Sequence, residues 1–229
     1  MNEFVQWLQQ LQIGNLLEIV LIAVASVLCI TFHETSHGLV AFWMGDDTAK
    51  AQGRLTLNPL HHIDIAGLIM MVVARFGWAK PVPVNMNRFK KPRAAMALTA
   101  AAGPISNVLL MVIAAVLRVL ILAVQLRTQW HGLDYVVAFF EYTAVLSAGL
   151  AVFNLFPIPP LDGSKIVFSF LPNGAYNKLM HYERYGMIVL IIVLFTNVLD
   201  TPLFYLRGVL LQLADFVAEP VYHIVIGAF

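Results

Sequence analysis

His33, Glu34 and His37 stand in the order H-E-x-x-H. On a helix, side chains four residues apart project from one face, so both imidazoles can reach one metal ion while the intervening glutamate reaches a water beside it. Neutral imidazole nitrogens bind zinc at about 2.0–2.1 Å. The spacing therefore predicts one zinc ion per chain, held by His33 and His37, with Glu34 as a base. A five-residue pattern can also arise from packed histidines and a chance glutamate. Here the surroundings weigh against that reading, because residues 16–44 form an apolar run with no other charge between Glu18 and His33. A central ionisable side chain in a membrane span costs roughly 2.5–3.5 kcal/mol even on lenient scales. Three such groups clustered without a task are hard to reconcile with that cost.

A catalytic zinc usually takes three protein ligands and leaves one position for water. The candidate third ligand is Asp162, the one carboxylate in "NLFPIPPLDG", far downstream of His37. Pro157, Pro159 and Pro160 break a helix there, and such breaks at membrane depth are tolerated where backbone is buried in protein or lines a wet cavity. Gly163 is expected to permit an unusual backbone conformation beside the ligand. Asp162 equally suits the N-cap of a helix over "GSKIVFSFL". On composition alone the two readings are evenly matched.

The elements that must position these residues are membrane helices. The 229 residues are 60% hydrophobic and 12% charged, with a mean hydropathy of +0.79, which excludes an ordinary soluble domain. A net charge of +1 gives no basic excess for nucleic acid. The single cysteine, Cys29, excludes an internal disulfide and a thiolate zinc site. We expect an all-α polytopic membrane protein of about four to six transmembrane helices. The expected spans are residues 16–44, 94–126 and 133–156, with a short fourth at 185–199. Residues 203–217 form either a fifth span or an amphipathic helix lying on the membrane. The start of the chain lacks signal-peptide features, and Phe4, Trp7, Leu8 and Leu11 recur at helical spacing, as in an interfacial helix. After the first span, "AQGRLTLNP" and "WAKPVPVN" read as extended pieces of a small membrane-associated β element. Between them "IAGLIMMVVARF" reads as re-entrant or interfacial. No repeat or appended soluble domain is visible, so residues 1–229 read as one domain, with a core over about 16–171 and C-terminal helices over about 185–229.

Orientation follows from the basic residues. Residues 45–93 carry Lys50, Arg54, Arg75, Lys80, Arg88, Lys90, Lys91 and Arg93, whereas the link between the second and third spans offers Arg127 alone. The positive-inside rule places the long connection in the cytoplasm, and the histidines toward the cytoplasmic end of the first span. His61, His62 and Asp64 could mimic a second metal site, but structural or entrance roles suit a charged loop beside a proline turn better.

Taken together, "HETSH" in the first span, "AAGPISN" and "NLFPIPPLDG" resemble the site-2 proteases, polytopic zinc metalloproteases that cut within membranes. "GRLTLNPLHHID" and "GWAKPVPVN" are also similar to the bacterial members, and the resemblance covers most of residues 30–170. It implies that Asp162 is the third ligand, and that Asn154 and Asn107 donate to substrate backbone or a developing oxyanion. It further implies a minimal form without PDZ or CBS domains, whose partners are transmembrane protein substrates and the lipid bilayer of a prokaryotic cytoplasmic membrane. Composition leaves the oligomeric state open. Two other classes compete: a membrane zinc transporter, which would give Glu34 no duty and expects charges along several spans, and a proteolytically idle scaffold, which would not need an intact H-E-x-x-H.

Overall fold

The computed structural model describes residues 16–64 and 80–227. The expected interfacial helix around Phe4 to Leu11 and the re-entrant piece at 65–76 lie outside these residues. The described elements run α1 (Leu16–Trp43), α2 (Thr48–Ala51), single 3-10 turns at Pro59–His61 and Met86–Arg88, α3 (Pro92–Thr128), a turn at His131–Leu133, and α4 (Asp134–Leu155). They continue as α5 (Asp162–Ser169), α6 (Asn173–Tyr182), a turn at Glu183–Tyr185, α7 (Gly186–Phe195) and α8 (Asp200–Gly227).

Among the described residues four helical stretches are long and apolar enough to cross a membrane: α1, α3, His131–Leu155 (which contains α4) and Asp200–Val225 within α8. The first three coincide with the expected spans. The expected short span at 185–199 is corrected, because only the ten residues of α7 are helical. At 1.5 Å per residue they cover about half of a 30 Å hydrocarbon core. A turn with Asn197 in the left-handed region, φ 56°, ends that run. The polar residues at 203–217 belong instead to the 28-residue α8, which is of spanning length.

The chain divides into two compact units. One comprises residues up to Cys29, Asn107–Phe153 and Leu190–Phe229. Its core is built from small and β-branched side chains, Ala114, Ala115, Val119, Ala144, Ala148, Ala214 and Ala218 around Met111. Small residues at such positions let helix backbones approach closely in a setting where lipid offers no hydrophobic drive for association. Cys29 is buried there, with its Sγ 3.1 Å from Ser147 Oγ. Arg118 bridges Glu141 of α4 and Asp215 of α8, so these three charges within the helices are paired with one another.

The other unit comprises Ile30–Ser106 and Asn154–Val189. Ala41, Phe89 and Ala95 form its small apolar cluster, with Met44, Val84 and Met86 against it. Asp46, fully buried, ties the connection together by accepting from the Thr48 hydroxyl, the Thr48 amide at 3.0 Å and the Asn85 amide at 2.6 Å. Arg93 donates to the Leu171 carbonyl at 3.1 Å and stacks on Tyr176 at 4.4 Å.

The expected β element is also corrected: no strand is present among the described residues. Residues 54–57 and 80–85 are irregular because side chains and isolated backbone contacts, and no neighbouring strand, take up much of their backbone. The Arg54 guanidinium takes the carbonyls of His61, Lys80 and Pro81, while Glu34 and Asp46 take the amides of Val82 and Asn85. Pro81 and Pro83 have no N–H to give a ladder.

Candidate metal centre

α1 is a regular helix through the H-E-x-x-H stretch, and its pitch stacks His33 over His37. Both are buried, with ring centroids 4.6 Å apart and planes at 89°. The third arm arrives from a separate element. α4 stops at Leu155, ahead of the three prolines, and α5 starts at Asp162. Asp162 Oδ2 lies 3.1 Å from His33 Nε2 and 3.2 Å from His37 Nε2. The donor atoms of the three residues all fall within 4.8 Å of one another, the only such group of His, Cys, Asp and Glu among the described residues.

Asp162 is not the N-cap of α5. Leu161 occupies that position, with φ −66° and ψ 153°, and the Asp162 carboxylate is turned to the two imidazoles. Burial alone would raise its pKa, but hydrogen bonds from His33 and His37 and their charges outweigh burial and hold the carboxyl well below the usual carboxylate range. Lys165 Nζ stands 4.0 Å from the other oxygen.

The rings are fixed from behind. His37 Nδ1 donates to the Thr99 carbonyl of α3 at 2.7 Å, which commits that nitrogen to the proton, so that loss of the Nε2 proton, which metal binding would require, frees the lone pair facing Asp162. One turn further along α3, Gly103 lies directly beneath the imidazoles. A Cβ there would be 2.5 Å from His33 Cε1 and 2.5 Å from His37 Nε2, so only glycine allows α3 to approach so near. Pro104 follows inside the helix, and the Ser106 hydroxyl donates to the Gly103 carbonyl at 2.7 Å.

Gly163 has a different reason from the one expected. Among the described glycines only Gly45 and Gly53 have positive φ. Gly163 is helical, and a Cβ on it would overlap the Leu155 carbonyl. The residue is needed for space, so that α5 can start against the end of α4 and deliver Asp162.

The donor set suits zinc. Two neutral imidazoles and one carboxylate form a common catalytic zinc set, and separations of 3.1 and 3.2 Å match the roughly 3.3 Å edge of a tetrahedron with bonds of about 2.0–2.1 Å. Glu34, beside His33, is partly buried, and its Oε2 accepts the Val82 amide at 2.9 Å. Asn154 is partly buried in the same unit as the three donors. Asn107 is fully buried in the other unit. His62 is buried and bonded through Nε2 to the Thr56 carbonyl at 2.8 Å, while His61 is exposed; they do not form a second metal group with Asp64.

Comparison with known proteins places the chain in a family. The model of peptidase family M50 matches residues 126–199. Over 178 residues the chain is 44% identical to "Putative zinc metalloprotease YwhC" of Bacillus subtilis (strain 168), an alignment covering 76% of this chain and 80% of that one. It is 26% identical over 185 residues to "Putative zinc metalloprotease Rip2" of Mycolicibacterium smegmatis, covering 79% and 69%. The protein of the same name from Mycobacterium tuberculosis H37Rv is 27% identical over 186 residues, again covering 79% and 69%. No solved structure matches. The chain therefore belongs to peptidase family M50, the site-2 proteases, whose metal is zinc. With four helices of spanning length it is a membrane protein.

Proposed function

We propose that this chain is an intramembrane zinc endopeptidase that hydrolyses peptide bonds within transmembrane segments of other membrane proteins, acting in a prokaryotic cytoplasmic membrane with its centre toward the cytoplasm. The observation that carries this reading is the convergence of His33, His37 and Asp162 with Glu34 one residue away on the same helix. A transporter would need no base at that position, and an idle scaffold would need no metal ligands.

His33, His37 and Asp162 hold one zinc ion per chain. When bound, it supplies Lewis-acid polarisation of a carbonyl and lowers the pKa of water toward neutrality. Glu34 then accepts the proton of the attacking water at its carboxylate and returns it to the leaving amine nitrogen. Thr99, through its carbonyl, keeps the His37 ring in one orientation. Asn154, and with it Asn107, is assigned the donation of a side-chain amide N–H to substrate backbone or to the developing oxyanion, which an uncharged amide can do without adding a buried charge. Amide side chains could equally serve interhelical bonding; alanine at each position separates these roles by changing kcat or only thermal stability. A helical substrate hides its carbonyls in its own hydrogen bonds, so the segment must unwind locally before attack.

The experiment is a comparison of purified wild type and Glu34→Gln on a membrane-embedded substrate, with metal analysis of both. The variant is expected to retain zinc and to lose cleavage by about a hundredfold or more, the usual range for a missing general base. Cleavage by Glu34→Gln at the wild-type rate would rule the reading out.

A further inference from the structure

Glu34 does not stand alone at the centre. Its Oε2 accepts the backbone amide of Val82 at 2.9 Å. Val82 is 7% exposed, and its Cγ1 packs over Gly38, where a Cβ would meet it at 3.1 Å. Glu34 and Gly38 are one turn apart, so Val82 lies along the same face of α1 that carries the base. Val82 stands between Pro81 and Pro83, which have no N–H. Its amide is therefore the one backbone donor that residues 81–83 possess.

The segment that presents this donor is held by unusual means. Arg54 is 9% exposed, and its guanidinium donates to the Lys80 and Pro81 carbonyls at 3.2 Å each and to the His61 carbonyl. The Lys80 amide donates to the His62 carbonyl at 2.9 Å, and the His62 ring is anchored on the Thr56 carbonyl. A planar fork of five N–H donors is the side chain best able to gather several carbonyls at once. Placing a buried cation on a loop has a desolvation cost, and such groups are retained where they fix a conformation.

Resting on the protease reading of this centre, we propose that Arg54 and the Val82 amide form a positioning device for Glu34: Arg54 clasps residues 80–81, and Val82 N–H pins Oε2 so that Oε1 faces the reacting groups. A glutamate has three rotatable bonds, and a misplaced reacting group loses rate steeply with distance. The clasp is the part of this chain that removes that freedom. Neither residue touches substrate in this scheme; both act through Glu34.

The test compares Val82→Pro, which deletes the amide hydrogen between two residues that are already proline, with Val82→Ala, which keeps the amide and trims the side chain. Arg54→Gln is the third variant. Full-length proteins are assayed for zinc content, for kcat and KM on a membrane-embedded substrate, and for hydrogen exchange at the Val82 amide. Val82→Pro is expected to keep zinc and KM and to lose kcat by about ten- to a hundredfold, with a clearly smaller loss in Val82→Ala. Arg54→Gln is expected to lower kcat with zinc retained and to speed exchange at Val82, as is Glu34→Ala. A kcat for Val82→Pro equal to or above wild type would overturn the proposal, the latter marking the segment as a plug over the base. Equal losses in Val82→Pro and Val82→Ala would also overturn it. So would exchange at Val82 that ignores removal of the Glu34 carboxylate, a measurement that holds even if wild type cleaves nothing and the protease reading itself fails.

Discussion

At the scale of single residues, the centre depends on one absent side chain as much as on three present ones. Gly103 lets α3 lie against both imidazoles, and a methyl group there would stand 2.5 Å from each ring. Gly103→Ala is therefore expected to keep the helix, since alanine is the better helix former, while displacing the rings and weakening zinc retention by about tenfold or more, the lower end of what outer-shell changes cost. Metal content after dialysis against a graded chelator series checks this; full retention would show that α3 yields more easily than its packing suggests. By contrast, His33→Ala, His37→Ala and Asp162→Ala are expected to lose zinc and cleavage together. The two histidines were legible in the sequence because a helix repeats every 3.6 residues and needs no knowledge of its neighbours. Asp162 was legible as a candidate, but its N-cap alternative could be dismissed only once Leu161 was seen at the cap position. Gly103 and Val82 were not legible as site residues, since each acts through a contact with an element distant in sequence. Their trace was membership of "AAGPISN" and "GWAKPVPVN", segments that resemble the family without showing what either residue touches.

At the scale of elements, the connection between α1 and α3 is stabilised by polar side chains bonded to backbone. That is why its extended-looking pieces were misread as strands. The alternation in "PVPV" is the pattern of a strand, yet the Pro81 carbonyl goes to Arg54 and the Val82 amide to Glu34, and beside them the Lys80 carbonyl goes to Arg54 and the Asn85 amide to Asp46. Asp46 makes this connection acid-sensitive. Burial works to raise its carboxyl, but donation from the Thr48 hydroxyl and from the amides of Asn85 and Thr48, with the nearby Arg88 charge, holds it below its ordinary value. A carboxyl lowered on folding contributes stability that is present above its unfolded pKa of about 3.9 and is lost as pH falls through the folded value. Proteolysis of the connection is expected to accelerate below about pH 4 in wild type. Asp46→Asn should be less stable at pH 7 by about 1.5–3 kcal/mol, the range for hydrogen bonds to a charged group, and its susceptibility should change less between pH 7 and pH 3. Limited proteolysis across that range decides it, and parallel acid profiles would remove Asp46 as the cause.

At the scale of the whole molecule, the basic residues and the four spanning-length helices set the expected topology. Reporter fusions after Lys50 and after Lys90 should read cytoplasmic, and one at Gly132 should read external. The opposite pattern would overturn the orientation. Substrate unwinding is the other whole-molecule expectation. Gly or Pro placed near the scissile bond lowers helix stability by about 1 and about 3 kcal/mol relative to Ala, so matched membrane substrates carrying them should be cut faster than those with Ala or Leu. Initial rates insensitive to these changes would show that unwinding does not limit the reaction. The number of early spans was legible because hydropathy reads length directly. The C-terminal region was not, because α7 is strongly apolar but short, whereas α8 is long and carries Arg207, Asp215 and Glu219.

The centre draws two donors from α1 and the third from the start of α5, with α3 and α4 between them in the chain. This order has a consequence for biosynthesis. A ribosome delivers His33 and His37 early, Gly103 and Thr99 with the next span, and Asp162 only after α4 has been made. On the proposed ligand set, a nascent chain arrested before Asp162 would hold two histidines and the proposed base but lack the third donor, and so would not retain metal as the finished protein is expected to. On that ligand set, the order of synthesis would delay assembly of the hydrolytic centre until the three spanning helices that precede Asp162 have left the ribosome, and the insertion machinery would be spared a protease that matures while still being threaded into the bilayer.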